Sequence, residues 1–323
     1  MIRSLRVPSV TIGPALSVAV FLISLPGALR ATDTNGPPET WVTNTVHYPS
    51  LLASNAIQSD RFNQLQAVFL ADTVRILWTP PAGDPAGRSV LKLSVDEPGH
   101  WAARDWRSYP MERRGPNWET VVPVDTLDVP LVYYVEVITG QGTNVSPMRL
   151  CRPRLLGLEQ PTRVFWPFLE GFEKGLESWR WLAGGPEDGH LQIAGVVKNG
   201  KAALAIGIPP GKVAVTIGTT RLRGWQIVQH GVTGVSLWMR TREGSGRARF
   251  TLLSDAFTTN QVVAASQSEA TIQPQWRQIE LPFQSFGKFP LSHLDLLAIE
   301  LLGQPGTEFL VDDLQMLGPW QLE

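Results

Sequence analysis

The chain has very few of the residues on which most catalytic and metal-binding sites depend. Cys151 is the single cysteine among 323 residues, which excludes an internal disulfide framework and a thiolate metal cluster. The five histidines stand far apart and form no His-Glu-x-x-His pair, and there is no Gly-x-Ser-x-Gly elbow. The sequence therefore carries no recognisable machinery for nucleophilic or zinc-dependent catalysis, and we predict that the protein is not an enzyme.

Clusters of positive charge are also missing. The 28 basic and 29 acidic residues give a formal net charge of −1. Residues 1–31 contain three arginines and no acidic residue, so their removal would shift the charge to −4. A chain without a basic patch offers no electrostatic footprint to a phosphate backbone, and we predict no nucleic-acid partner.

Long apolar runs are absent except at the N-terminus. The chain begins with two arginines, continues with the apolar residues 7–25 and reaches a small-residue site at Ala31. This layout predicts a secretory signal peptide over residues 1–31 and hence an exported protein, either periplasmic or extracellular, without a stable membrane span after cleavage. An uncleaved anchor helix is the alternative, but prolines interrupt the apolar run.

The rest of the chain consists of short β-branched or aromatic runs separated by Pro, Gly or Asp, with no long amphipathic helix. The length suits two domains of ordinary size. We predict an all-β protein with a flexible leader at 32–40, an immunoglobulin-like β-sandwich at 41–159 and a second β-sandwich at 160–323. The nine short runs of the second domain indicate a jelly roll.

Certain segments carry a family resemblance. In the second domain they are residues 171–179, 199–204, 234–240, 276–283 and 309–314. Their order resembles that of the galactose-binding-like jelly rolls of many carbohydrate-binding modules, family 11 among them. In the first domain, residues 118–124 and 132–137 resemble immunoglobulin-like accessory modules. The resemblance implies a protein that adsorbs to a polysaccharide or glycan through its second domain, with the first domain as an accessory or spacer.

The same resemblance implies a structural Ca²⁺ in the jelly roll. Carried over onto this chain, its ligands would be Glu173 and Asp312, with backbone carbonyls near Asn199 and Gly200. Carboxylate and carbonyl oxygens are the ligands that Ca²⁺ prefers, but it takes roughly six to eight of them. The alternative is that Asp312 and the aspartate after it only end a strand.

Tryptophan is abundant, with twelve residues against four tyrosines. Flat indole rings pack well against the apolar C–H faces of sugars, but most tryptophans bury their large surface in a core. We therefore expect Trp41, Trp78, Trp179 and Trp276 to be core residues.

Trp238 is different, because the apolar residues Val235, Leu237 and Met239 alternate with it. A strand sends alternate side chains to opposite faces, so Trp238 and Arg240 are predicted to lie on the face away from the core. The same argument places Arg249 on the outer face of the following strand, beside Arg240.

Gln278 and Asp255 complete the predicted ligand-binding set, because planar donors and acceptors suit sugar hydroxyls. A mixed polar face is also what any solvated sheet presents. Two other functions stay open: a structural or protein-interaction module of a cell envelope or secreted complex, and a glycosidase that uses paired carboxylates within 170–188.

Overall fold

A computed structural model describes residues 60–70, 73–83, 87–97, 103–140, 142–163, 165–185, 191–267 and 269–320. These residues form 21 β-strands and one α-helix, α1 (Gly224–His230), besides short 3-10 turns. The all-β prediction is confirmed. No helix within these ranges is long and apolar enough to cross a membrane. The predicted signal peptide, the leader and Trp41 lie outside the described residues.

The first sandwich consists of two antiparallel sheets. Sheet A contains β1 (Leu65–Leu70), β2 (Thr73–Trp78), β5 (Glu112–Arg114) and β6 (Asn117–Val122), in the order β1-β2-β6-β5. Sheet B contains β3 (Arg88–Val95), β4 (Arg107–Pro110), β7 (Leu131–Thr139), β8 (Gly142–Val145) and β9 (Arg149–Cys151), in the order β4-β3-β7-β8 with β9 paired to β7.

The apolar faces of sheets A and B meet in one core. Along β2, Val74, Ile76 and Trp78 are at most 1 % exposed, and the residues between them are half-buried. This is the period-two pattern of a strand with one face in the core. Trp78 is thus a core residue, as predicted. The immunoglobulin-like topology of this sandwich stays a prediction.

The second sandwich also has two sheets. Sheet C contains β10 (Phe168–Glu170), β12 (Gln192–Ala194), β13 (Ala203–Gly207), β15 (Gly234–Thr241), β19 (Arg277–Pro282) and β21 (Glu308–Leu317), in the order β12-β13-β21-β15-β19 with β10 paired to β21. Sheet D contains β11 (Trp179–Ala183), β14 (Ala214–Thr219), β16 (Gly246–Ser254), β17 (Val262–Ala265), β18 (Ala270–Ile272) and β20 (Leu294–Leu302), in the order β11-β14-β20-β16-β17 with β18 paired to β16.

The chain passes repeatedly between sheets C and D, as in a jelly roll, and their inner faces share a core. Leu237 and Met239 of sheet C and Leu252 of sheet D are fully buried there. Trp179 is 5 % exposed in the same core, as predicted. A second β-sandwich is thereby confirmed, while the boundary near residue 160 stays a prediction.

The two sandwiches touch along one end of sheet D. Ala103 of the first packs against Leu296 and Ala298 on the outer side of β20. Arg221, on the loop before α1, binds Asp105 of the first sandwich at 3.1 Å and Glu170 of the second at 2.9 Å. This contact covers part of one outer face of the second sandwich.

Candidate functional site

The structure places Trp238 on the outer face of sheet C. Its strand β15 lies between β21 and β19, so the ring sits inside the sheet and not at its edge. Because Leu237 and Met239 are buried in the core, alternation sends Trp238 and Arg240 outward, where both are half-buried.

Further side chains gather around Trp238 on this face. Gln278 lies directly opposite it on β19, and Gln278 Nε2 donates to Ser236 Oγ at 3.4 Å. Arg240 has its guanidinium carbon 5.9 Å from the centre of the Trp276 ring. The ammonium of Lys198 lies 4.5 Å from the centre of the Trp238 ring. We call this group the tryptophan face; its members are Lys198, Ser236, Trp238, Arg240, Trp276 and Gln278.

Trp276 was expected in the core, and that prediction was wrong. The ring is half-buried and lies outside the core cluster, with Arg240 against it. The outward position of Trp276 could have been predicted from alternation. Ile279 and Leu281 point into the core, so residues an odd number of positions before them, such as Gln278 and Trp276, point outward. Lys198 was missed altogether. It lies on a loop, where no periodicity predicts what a side chain meets.

Arg249 does not join Arg240, which corrects the predicted grouping. Arg249 does point away from the core, but its strand β16 belongs to sheet D, so it lies on the opposite outer face of the sandwich. There its Nε donates to Glu269 at 2.6 Å and its Nη1 to Glu300 at 3.2 Å. The hydrogen bond from Arg249 holds the pKa of the Glu269 carboxyl below its ordinary value.

Asp255 also lies apart from the tryptophan face. It follows β16 at the end of sheet D, half-buried, with a left-handed backbone φ of 49°. Its charge acts on Asp295, whose carboxylate accepts the Ala256 N–H at 3.1 Å. Of the five predicted ligand-binding residues, the structure therefore brings together Trp238, Arg240 and Gln278.

Glu173 and Asp312, the predicted Ca²⁺ ligands, both reach the loop 198–201. Glu173 Oε1 accepts the Lys201 N–H at 3.1 Å. Asp312 is fully buried, and its Oδ2 accepts the Lys198 and Asn199 N–H groups at 2.8 and 3.2 Å. Its other oxygen, Oδ1, accepts the backbone N–H of the next residue at 2.8 Å.

This donor set does not fit a calcium shell. Both oxygens of Asp312 already accept backbone N–H groups, and burial raises the pKa of its carboxyl, which opposes a permanent negative charge. Among the described residues, no group of three or more acidic, His or Cys side chains could hold a metal ion. Ca²⁺ usually takes about six to eight oxygens, many of them from carboxylates. Ca²⁺ at Glu173 and Asp312 stays an untested prediction.

No protein-family model and no curated protein sequence matches the chain. Among solved structures, it is similar to a family 11 carbohydrate-binding module from Clostridium thermocellum in complex with a β-1,3-1,4-mixed-linked tetrasaccharide, at 17 % identity and a TM-score of 0.38 over 48 % of this chain and 97 % of that one. A carbohydrate-binding module specific for non-crystalline cellulose, CBM28, matches at 15 % identity and a TM-score of 0.35 over 46 % and 92 %.

A third similar structure is TmCBM61 in complex with β-1,4-galactotriose, at 16 % identity and a TM-score of 0.32 over 48 % of this chain and 99 % of that one. None of these likenesses gives a role to any residue of this chain. The candidate site is therefore defined by its own geometry.

Proposed function

We propose that the protein is an exported, non-catalytic carbohydrate-binding protein whose tryptophan face holds a polysaccharide or glycan. The observation that carries the proposal is the presence of two half-buried indoles, Trp238 and Trp276, on one outer face of sheet C. Indole rings pack against the apolar C–H groups of a pyranose. The amide of Gln278 and the guanidinium of Arg240 supply hydrogen-bonding groups for the hydroxyls beside them.

Lys198 competes with a sugar for Trp238. Its ammonium lies over the ring, so a sugar that stacks on that side has to displace it. An exposed cation–π contact contributes about 0.5–1 kcal/mol, and a stacked ring contributes about 0.5–1.5 kcal/mol beyond its area burial. The two contacts are of similar strength, and the long flexible Lys side chain can turn away. We therefore expect a single sugar ring to bind this face weakly, and a polysaccharide to bind it through several contacts along its length.

Three of the five acidic residues in the segment 170–188 are engaged elsewhere; the other two, Glu187 and Asp188, lie outside the described residues. Glu170 is 5 % exposed and bound to Arg221. Glu177 Oε2 accepts the backbone N–H of Ser108 in the first sandwich at 3.1 Å. Glu173 binds the loop 198–201. Carboxylates tied up in this way are poorly placed for acid–base work, which supports binding without cleavage.

The substitution Trp238→Ala tests the proposal. We expect its retention in gels that contain soluble polysaccharides to fall about two- to tenfold, the equivalent of one lost stacking contact, with only a small drop in melting temperature. Arg249→Ala, on the opposite outer face, is the matched control and should be retained like the unmodified protein. If Trp238→Ala is retained like the unmodified protein and Arg249→Ala is retained less, the binding site lies on sheet D and not on sheet C.

Export has its own test. Residues 1–31 carry the pattern of a signal peptide, so protein recovered from outside the cytoplasm of its native host should start near residue 32. Mass spectrometry of the intact chain measures this directly. An unprocessed Met1 in the soluble cytoplasmic fraction contradicts it.

A protein-interaction module is the second candidate. It is favoured by β17, which pairs with β16 and exposes Val262 at 41 % and Val263 at 55 %. An exposed apolar edge strand can accept a strand from another chain. Lysine substitution of Val263 should then abolish a protein complex and leave polysaccharide retention unchanged, which native electrophoresis of both samples would show.

A further inference from the structure

A cavity of about 290 Å³ opens where β11, β12, the end of β13 and the start of β21 come together. Its walls include Trp181, Gln192, Ile208, Pro209, Pro210 and Glu308. We call it the Trp181 cavity. None of the predicted ligand-binding residues and no member of the tryptophan face lines it.

The indole of Trp181 is held in a fixed position. It packs partly against the core, and the backbone of Gly185 lies against the ring. A methyl group added at Gly185 would come 2.5 Å from Trp181 Cδ2, so the ring would have to move. The indole N–H of Trp181 is buried without a hydrogen-bond partner in the described part of the chain. A buried donor without a partner is costly, which makes this ring a locally strained part of the cavity wall.

The other walls combine rigid apolar groups with two polar side chains. Pro209 and Pro210 form an apolar wall that loses almost no side-chain entropy when a ligand binds. Gln192 is exposed on β12 and offers an amide. Glu308 has one carboxylate oxygen, Oε1, bound by Arg242 at 2.8 Å, which fixes the carboxylate at the rim.

We propose that the Trp181 cavity is a second binding site, which takes a single neutral sugar ring at the end or branch of a glycan. The inference rests on the proposed function, since it assigns the same ligand class to a second place. The indole ring and the prolines suit the C–H faces of a sugar, while the side chains of Gln192 and Glu308 suit its hydroxyls.

The size and position of the cavity separate it from the tryptophan face. Its volume of about 290 Å³ lies just below the usual range of small-molecule sites, roughly 300–1,000 Å³, which suits one sugar ring and not a chain of sugars. Arg240, Leu310, Ala205 and Gln192 occupy matching positions on neighbouring strands of sheet C. Three strand spacings of about 4.8 Å separate Arg240 from Gln192, or about 14 Å. Leu310 and Ala205 lie between them and are buried, so the cavity and the tryptophan face are two separate places on the molecule.

NMR of the indole N–H signals in the full chain tests the proposal, with D-glucose, D-galactose, D-mannose and D-xylose as probes at millimolar concentration. The variant Trp181→Phe assigns the Trp181 signal. We expect at least one sugar to shift that signal in a saturable way, and Gln192→Ala to weaken the binding about two- to tenfold, as for one lost hydrogen bond. Gly185→Ala should abolish the shift, because it moves the ring without removing it.

Trp238→Ala separates this proposal from the proposed function. It should lower polysaccharide retention about two- to tenfold and keep the sugar-dependent shift of the Trp181 signal. If the unmodified protein is retained by polysaccharide but no sugar shifts the Trp181 signal, the cavity proposal is overturned and the proposed function stands. A shift that persists undiminished in both Gln192→Ala and Gly185→Ala also overturns it, since the sugar then binds elsewhere. Failure of both retention and shift overturns both proposals.

Discussion

The cationic side chains on the two outer faces of the second sandwich have different kinds of partner. On sheet C, Lys198 and Arg240 lie against the rings of Trp238 and Trp276. On sheet D, Arg249 is held between two carboxylates, and the far end of the sheet is covered by the first sandwich. Side chains that form an ion pair have few hydrogen-bonding groups left for a ligand. A cation that lies over an indole ring can move away when a ligand binds to the ring. The difference supports the proposed binding site on sheet C.

The largest expected difference is between substitutions on the inner and the outer face of the second sandwich, measured as loss of unfolding free energy. Trp179 is 5 % exposed in the core, while Trp238 is half-buried on the outer face. Trp179→Ala leaves a cavity and should cost about 3–5 kcal/mol of unfolding free energy. Trp238→Ala should cost much less. Urea unfolding of both variants measures the difference, and equal losses would place Trp238 in the core after all.

Asp295, at the end of sheet D that touches the first sandwich, should make the stability of the protein depend on pH. Burial raises the pKa of Asp295 to about 7, although the Arg223 charge and the Ala256 N–H lower it. The folded-state pKa then lies above the unfolded value of about 3.9. The resulting stability is fully present below about pH 4 and is lost as the pH rises towards 7.

The size of this effect is no more than about 4 kcal/mol, at ~1.4 kcal/mol for each pH unit between the two pKa values. Asp295→Asn should remove this part of the pH dependence and be the more stable form above pH 7. Urea unfolding of both proteins at a series of pH values from 4 to 8 gives the comparison. Parallel pH profiles for the two proteins would mean that Asp295 titrates normally.

The sequence predicted the local part of this arrangement and missed the long-range part. Alternation along β15 correctly separates Leu237 from Trp238, because side-chain direction in a strand depends only on the neighbouring residues. The position of Arg249 depends on β16 pairing with β20, which is remote in sequence. Lys198 reaches Trp238 from a loop held by Asp312, and this depends on tertiary packing alone. Periodicity contains no information on either contact.

The paired charges on sheet D should contribute little. Arg249 is about half-exposed, with a side-chain accessibility of 47 %, and exposed ion pairs contribute roughly 0.2–1 kcal/mol. We expect Arg249→Ala to lower the unfolding free energy within that range, and this loss should disappear at high salt.

At the tryptophan face, Lys198→Ala should raise polysaccharide retention, because it frees the Trp238 ring. A retention loss in Lys198→Ala would make the lysine a direct ligand contact.

The smallest effect is expected from removing divalent cations. A bound Ca²⁺ beside Asp312 would have to share oxygens that already accept three backbone N–H groups. A carboxylate has about four lone-pair positions, so three such bonds leave little room for a cation. We therefore expect the melting temperature to be the same with a chelator and with added Ca²⁺. A clear rise with Ca²⁺ that Glu173→Gln abolishes would show that Glu173 and the loop 198–201 rearrange around a metal. The cation would then stabilise the loop from which Lys198 reaches Trp238, and sugar retention should follow the Ca²⁺ concentration.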